Sequence, residues 1–544
     1  MLQHTAPRNS VMLKHNLLWR RQTMTSRRNT RPKADRPPPA AQARPIPPWQ
    51  WFLLAAGGPI ALCAGRLNLD LWHDEIYTLV MFAAAGPRKI VADYSAPNNH
   101  VLYSLVLWVV QEFSSAEFAL RLPSLAFSIG ALAMTFRAAW HLGNRTLAVL
   151  ATLLLGLNQM FLIHAIQVRG YALSMFLFAW LVNLAIPLEG GTRISRLLQV
   201  GFVGAAFLYV MPTNLLFFAP LAGAALIWLG TSRHGRASAE SPNQHTASAR
   251  MLLEATAAWA AALLLAALLY APIARQVLEH RGPSTHFSPS ALLAAMKAFL
   301  KPAMHDMLLL LPLFLAGLLV WIVRRIRRQE VASPAAPLLA AAVFGGAFLL
   351  TAGLGISPFA RNFCPLLPLM ALAQAWTLGE LLRAISWNSV RAAEAASLGV
   401  ALVVVAVLAP QIATYPNRLD AYCREHPGAH DGYFNYYAAD YHPAAVIDRV
   451  QKLTADGRPY RVCYAKEDHW NLIYYFKLAG VPLAAGPARP GEAGAWLYVI
   501  APHKADWADI AASCKLPEET LRRLPAIDDF GYYQLTGGRM KGER

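Results

Sequence analysis

Eleven apolar stretches dominate the chain, at residues 48–66, 118–140, 145–164, 170–188, 197–211, 213–230, 251–273, 306–323, 336–355, 363–384 and 392–412. A helix of about 20 apolar residues spans a hydrocarbon core of ~30 Å, and it satisfies its own backbone groups where water cannot. The chain has 544 residues, 56% hydrophobic and 15% charged. A soluble domain carries roughly 25% charge, so this composition reads as an all-α polytopic membrane protein. Disorder throughout, collagen-like repeats and a disulfide-dense secreted scaffold are excluded on the same grounds.

The formal net charge is +18, from 49 Lys+Arg against 31 Asp+Glu, and its placement matters more than its size. Residues 1–50 hold ten basic side chains, from Arg8 to Arg44, against the single acid Asp35. Such a tail before a first span is retained in the cytoplasm and is attracted to anionic membrane lipids. Neither aromatic interleaving nor a folded module accompanies the charge, so nucleic acid is not an expected partner. The exit Arg44-Pro-Ile-Pro-Pro is too polar for a cleavable signal peptide. Residues 1–47 therefore read as a disordered cytoplasmic tail.

Segment 100–113 is ambiguous, because about 14 helical residues reach only ~21 Å. If it crossed the membrane, Arg145 and the run Arg324-Arg-Ile-Arg-Arg328 would fall outside. If it lies in the interface, both fall inside, as do Arg193 and Arg196, the loop 231–250, and Arg383 and Arg391. The positive-inside rule selects the second arrangement. It predicts about 11 spans over 48–412, with outer loops at 67–117 and 274–305 and an outer domain at 413–544. In a bacterial envelope that means the inner (plasma) membrane, with the N-terminus cytoplasmic and the C-terminal domain periplasmic.

The polar tail reads as a small α/β domain. Arg458-Pro-Tyr-Arg-Val-Cys-Tyr, Trp496-Leu-Tyr-Val-Ile and Phe530-Gly-Tyr-Tyr-Gln-Leu have strand patterns, with helical patterns between them. Cys63 and Cys364 sit in or beside apolar spans as small hydrophobes. Cys423, Cys463 and Cys514 lie in the tail, where an oxidising compartment allows one disulfide; the sequence does not say which two pair. No Cys/His cluster has zinc spacing.

The first outer loop carries the densest chemistry. Trp72-His-Asp-Glu-Ile-Tyr77 follows the first span, and Asn98-Asn-His-Val-Leu-Tyr103 comes soon after. Adjacent acids at a membrane mouth, Asp74 and Glu75, suit a general base or a divalent cation facing lipid phosphates; a solvated loop anchored by Trp72 is the plainer alternative. Arg121, Arg169 and Arg361 fall at outer span ends, against the usual charge bias, where a planar guanidinium suits a phosphate. Snorkelling or a structural salt bridge is the alternative for each.

Five motifs occur in order: Trp72-His-Asp-Glu-Ile-Tyr, Asn98-Asn-His-Val-Leu-Tyr, Phe118-Ala-Leu-Arg-Leu-Pro-Ser, Gln167-Val-Arg-Gly-Tyr-Ala-Leu and Ser357-Pro-Phe-Ala-Arg-Asn-Phe-Cys-Pro-Leu-Leu-Pro. Over roughly residues 50–385 they resemble the GT-C membrane glycosyltransferases. That superfamily includes protein O-mannosyltransferases, the lipid A aminoarabinose transferase and the rhizobial core-galacturonosyltransferase (Rgt-like) family. The resemblance implies a GT-C fold and transfer of a sugar from a polyprenyl-phosphate-linked donor to a glycan, lipid or protein acceptor on the periplasmic side. It implies Asp74 as the base that deprotonates the acceptor hydroxyl, and Glu75 as its support. Arg361, Arg169 and Arg121 are then expected to bind donor phosphate or substrate, together with His100, Asn99 and Tyr103. Asn98, Asn99 and Val101 depart from the family's His-Pro-Pro-Leu-Tyr element. No second acid accompanies Arg169-Gly-Tyr, so the resemblance implies no resident metal, and a divalent cation on Asp74 and Glu75 is left as an alternative. A transporter or lipid-carrier flippase would instead place ionisable residues mid-span within a repeated half, and an inactive scaffold of the same fold is the third reading.

Overall fold

The computed structural model describes residues 47–186, 193–237, 242–279, 306–327, 334–354, 359–385, 390–414, 442–455, 457–464, 469–480, 495–502, 507–530 and 533–539, with Gln329 and scattered positions over 289–304. Almost all of the expected tail 1–47, most of the expected outer loop 274–305 and Cys423 lie outside these residues.

The expected helical membrane architecture is present. Helix α1 (Pro48–Ala64) leads into the first loop, which carries α2 (His73–Thr78), α3 (Pro87–Ala92) and α4 (Val101–Gln111). Then come α5 (Glu117–Leu142), α6 (Arg145–Gly156), α7 (Gln159–His164), α8 (Tyr171–Ala185), α9 (Arg193–Val210), α10 (Leu215–Ala237), α11 (Pro242–Tyr270) and α12 (Ala274–Glu279). The last membrane helices are α13 (Leu311–Ile326), α14 (Ala335–Leu354), α15 (Leu367–Ile385) and α16 (Val390–Ala413). Seven helical stretches among the described residues are long and apolar enough to cross a membrane, and four further apolar helices are shorter. The 11 residues of α4 rise only ~16 Å, about half a hydrocarbon core.

Local sequence sets the helix starts. Asn144 and Asn158 cap α6 and α7, their side-chain oxygens accepting the N–H of Leu147 (3.0 Å) and Phe161 (3.2 Å). Small residues let the long helices approach closely, as in other membrane bundles. A Cβ at Gly317 of α13 would run into the Thr377 carbonyl of α15. Helices α5 to α8 and α15 form the interior. Helices α11, α13, α14 and α16 turn Leu253, Leu264, Leu319, Leu349 and Leu402 outward, an apolar exterior that water would not tolerate over this area.

Buried polar side chains are satisfied by bonds within the bundle. Asn158 Nδ2 donates to the Ala303 carbonyl and Asn183 Nδ2 to that of Met134, each at 2.8 Å, and His164 Nδ1 meets Gln167 Oε1 at 2.9 Å. Glu380 is fully buried, with Arg383 and Arg324 as its partners. A buried carboxylate needs such cations. Glu254 remains near the surface, paired with Arg250 at 2.9 Å.

The C-terminal residues form a mixed four-stranded sheet of order β1-β2-β4-β3, from Tyr460–Tyr464, Trp496–Pro502, Ala526–Phe530 and Tyr533–Arg539 in chain order. The pair β1/β2 is parallel and the other two pairs are antiparallel. The two-residue period of β2 serves both faces. Tyr498 and Ile500 pack with α17 (Pro443–Thr454) and α18 (His469–Leu478), while Leu497, Val499 and Ala501 pack with α19 (Trp507–Cys514) and α20 (Glu518–Arg522). Phe530–Leu535, read above as one strand, includes the last residue of β3 and the first of β4, and the rest of β3 escaped the strand pattern. Cys463 on β1 and Cys514 at the end of α19 form the disulfide, with Cα atoms 5.7 Å apart.

Candidate active site

Adjacent carboxylates on the first turn of α2 face different partners. Glu75 sits at the third helical position, where its Oε2 accepts the Trp72 N–H at 2.9 Å and complements the helix dipole. Its Oε1 accepts the Val168 N–H at 2.7 Å, and Arg121 Nη2 donates to Oε2 at 3.1 Å. Arg121 also donates to the carbonyls of Leu67 and Asp70, each at 3.1 Å, and to that of Leu69. One buried ion pair thus fastens the first loop to α5 and to the turn before α8. Arg121, expected among the phosphate ligands, is committed to this clamp.

Asp74 turns toward the other two arginines. Its Oδ2 pairs with Arg169 Nη1 and, at 3.2 Å, with Arg361 Nη2. Its Oδ1 accepts from Asn98 Nδ2 at 3.3 Å, while Asn98 Oδ1 accepts from Arg169 Nη2 at 3.3 Å. Asn98 therefore occupies the place expected for Asn99. The Asn99 amide instead donates to the carbonyls of Ile90 and Asp93, each at 2.8 Å, and shapes the loop behind the site. Asn98 was legible only as part of the Asn98-Asn99-His100 block.

His100 Nδ1 accepts the Gly170 N–H at 2.8 Å, and its Nε2 stands 3.3 Å from Arg169 Nη2. Gly170 leaves no room for a side chain, since a Cβ there would fall 2.5 Å from Val210 and 3.0 Å from the His100 ring. Tyr171 packs under this group, its ring centroid 5.1 Å from that of His100 and 5.2 Å from the Arg169 guanidinium carbon. Arg361 lies in the first residues of a 3₁₀ turn at Ala360–Leu366 that leads into α15, 4.7 Å over the Phe359 ring. Tyr103 lies deeper, its hydroxyl 2.6 Å from Ser124 Oγ, and reads as packing rather than site.

Burial pushes the Asp74 carboxyl up, but Arg169 and then Arg361 outweigh it, with help from His73 and Asn98, and hold it below the ordinary carboxylate range. This pairing stabilises the fold above the unfolded pKa and is lost only as pH falls through the depressed folded value. Near neutral pH it is intact. Burial, reinforced by Arg169 and Arg361, holds His100 well below its ordinary value, so the ring is neutral.

The C-terminal domain grips the same loop. The Leu71 N–H donates to the Tyr475 hydroxyl of α18 at 2.6 Å, three residues before Asp74. Asp70 Oδ2 accepts the Ala444 N–H from the first turn of α17 at 3.1 Å. Tyr475→Phe leaves the buried Leu71 N–H without its acceptor, a cost of about 1–3 kcal/mol. A lower melting temperature and faster proteolysis between the membrane helices and the sheet are expected. An unchanged melt would mean that the contact does not hold the loop.

A divalent cation does not suit this donor set. Each carboxylate already faces guanidinium groups, and no group of three His, Cys, Asp or Glu side chains converges among the described residues.

No family model and no curated protein sequence matches the chain. Among solved structures it is similar to ArnT from Cupriavidus metallidurans bound to undecaprenyl phosphate, at TM-score 0.46 and 13% identity over 90% of this chain and 98% of that one. It is also similar to the apo oligosaccharyltransferase of Archaeoglobus fulgidus, at TM-score 0.42 and 14% identity over 83% of this chain and 69% of that one. A third is AglB from Archaeoglobus fulgidus in complex with an inhibitory peptide and a dolichol-phosphate, at TM-score 0.40 and 11% identity over 89% and 74% of the two chains.

Proposed function

We propose that the chain is a GT-C-type membrane glycosyltransferase that moves a sugar from a polyprenyl-phosphate carrier to a hydroxyl of a glycan, lipid or protein acceptor. The observation that carries this reading is the convergence of Asp74, Asn98, His100, Arg169 and Arg361, from four separate motifs, at one end of the helices. Asp74 takes the proton of the acceptor hydroxyl, whose oxygen then forms a bond to the anomeric carbon. The bond from that carbon to the phosphate oxygen breaks, and the polyprenyl phosphate leaves with the electron pair and one more negative charge. Arg361 and Arg169 stabilise that charge as it develops. Glu75 and Arg121 position the loop and do not touch the reactants.

Charge placement supports a periplasmic site in the inner membrane. From Arg361 to Glu380 the chain rises about 30 Å along the 3₁₀ turn and α15. Its far end gathers Arg324 and Arg383 around Glu380. The positive-inside rule assigns that end to the cytoplasm and the Asp74 end, with the sheet domain and its disulfide, to the oxidising side. Among the described residues the buried acids are Asp74, Glu75 and Glu380, none of them mid-span as a transporter would need.

The test supplies membranes containing the protein with a mixture of labelled polyprenyl-phosphate sugars. Wild type should transfer label, and Arg361→Ala, at equal protein level, should lose about 100-fold or more. Equal transfer by both would overturn the assignment of Arg361, and no transfer by wild type from any donor would overturn the function.

A further inference from the structure

Two hydrogen-bond donors face each other beside Asp74. Because the Gly170 N–H donates to His100 Nδ1, that nitrogen carries no proton, and the neutral ring holds its proton on Nε2. Nε2 points at Arg169 Nη2, 3.3 Å away, and a guanidinium nitrogen only donates. The contact is therefore not a hydrogen bond; both groups suit a third atom that accepts. Close by, a single oxygen of Asp74 is shared by Arg169 and Arg361. The result is a compact anion site, built by two guanidinium groups and one buried imidazole N–H, with a carboxylate already on it.

We propose that the Asp74 carboxylate stands in for the donor's phosphate on Arg169 and Arg361, that His100 Nε2–H is a further ligand of that phosphate, and that the arriving phosphate displaces the carboxylate and frees it to act as base. The inference rests on the proposed function. A phosphodiester carries one negative charge over two oxygens, like the carboxylate, but it is not tethered to α2 and its tetrahedral oxygens are spread wider, so it can engage both arginines and His100 together. The displaced Asp74 stays buried and loses its two cationic partners, which raises its affinity for a proton. The base is thus quiet until the donor is seated, and an acceptor hydroxyl is not activated on its own.

The experiment measures binding of undecaprenyl phosphate to the purified full-length chain in lipid nanodiscs, with inorganic phosphate as a competitor. Asp74→Asn removes the internal competitor and should bind the lipid phosphate about tenfold more tightly, while inorganic phosphate should also compete better against the lipid in that variant. His100→Asn keeps an acceptor for the Gly170 N–H but has no Nε2–H, and should bind about tenfold more weakly. Affinities are compared on protein with wild-type elution and melting behaviour. If Asp74→Asn does not fold, unchanged affinity in His100→Asn still overturns the proposal. Wild-type binding that Asp74→Asn leaves equal or weaker overturns the exchange alone. No binding of lipid phosphate by wild type overturns the proposed function itself. Tighter lipid binding with no effect of inorganic phosphate would assign the competition to the tail and overturn the phosphate site.

Discussion

Arg121→Ala is expected to prevent the protein from folding stably rather than to slow a folded enzyme. The side chains of Arg121 and Glu75 are 4% and 1% exposed. Truncating the arginine leaves a buried carboxylate without its cation and three carbonyls without their donor. Breaking one side of a buried pair costs about 3–5 kcal/mol, against a total stability of roughly 5–15 kcal/mol for a typical domain. Purified protein should melt well below wild type or elute as aggregate. The double variant Arg121→Met with Glu75→Gln should recover part of the loss, because it removes the uncompensated charge and keeps an oxygen acceptor for the Val168 N–H. If Arg121→Ala instead melts like wild type and loses only lipid-phosphate binding, Arg121 belongs with Arg361 after all, as its position in the sequence suggested.

That contrast marks what the sequence could reveal. The helices were legible because hydrophobicity over a bilayer's thickness is a local property, but the stretch 145–164 breaks at Leu157 and Asn158 into α6 and α7, and seven stretches among the described residues, not eleven, reach spanning length. The strands of the sheet domain were legible where alternation was clean, in Tyr460–Tyr464 and Trp496–Pro502, but not in Ala526–Phe530, whose acids Asp528 and Asp529 break the pattern. The motifs located the loop that holds Asp74, yet could not divide labour within it. Three arginines expected at outer span ends look alike in sequence; that Arg121 meets a carbonyl cluster while Arg169 and Arg361 meet Asp74 depends on contacts between distant segments. Asn98 and Asn99 are neighbours of one type, and only the turn before α4 decides which amide points at Asp74. The cysteine pair was open for the same reason, since Cys463 and Cys514 meet only through the sheet.

Asp74→Asn should move two kinetic parameters in opposite directions. Loss of a general base lowers kcat by about 10²–10⁴-fold, whereas loss of the carboxylate that occupies Arg169 and Arg361 lowers the donor KM, provided that chemistry limits the rate. Loss of a base with no competing role would lower kcat and leave KM unchanged. Loss of a carboxylate that contacts the substrate directly would raise KM. The wild-type pH profile tests the same point without a substitution. The kcat/KM profile reports the free enzyme, in which the two arginines hold the Asp74 carboxyl low. The kcat profile reports the donor-bound enzyme, in which those arginines face phosphate and the still-buried carboxyl binds protons more readily. The acid limb of kcat should therefore lie at higher pH than that of kcat/KM, and it should vanish in Asp74→Asn. Coincident limbs would mean that Asp74 keeps its arginines throughout turnover; a carboxylate so held is a weak base, and the proton would have to leave the acceptor by another route.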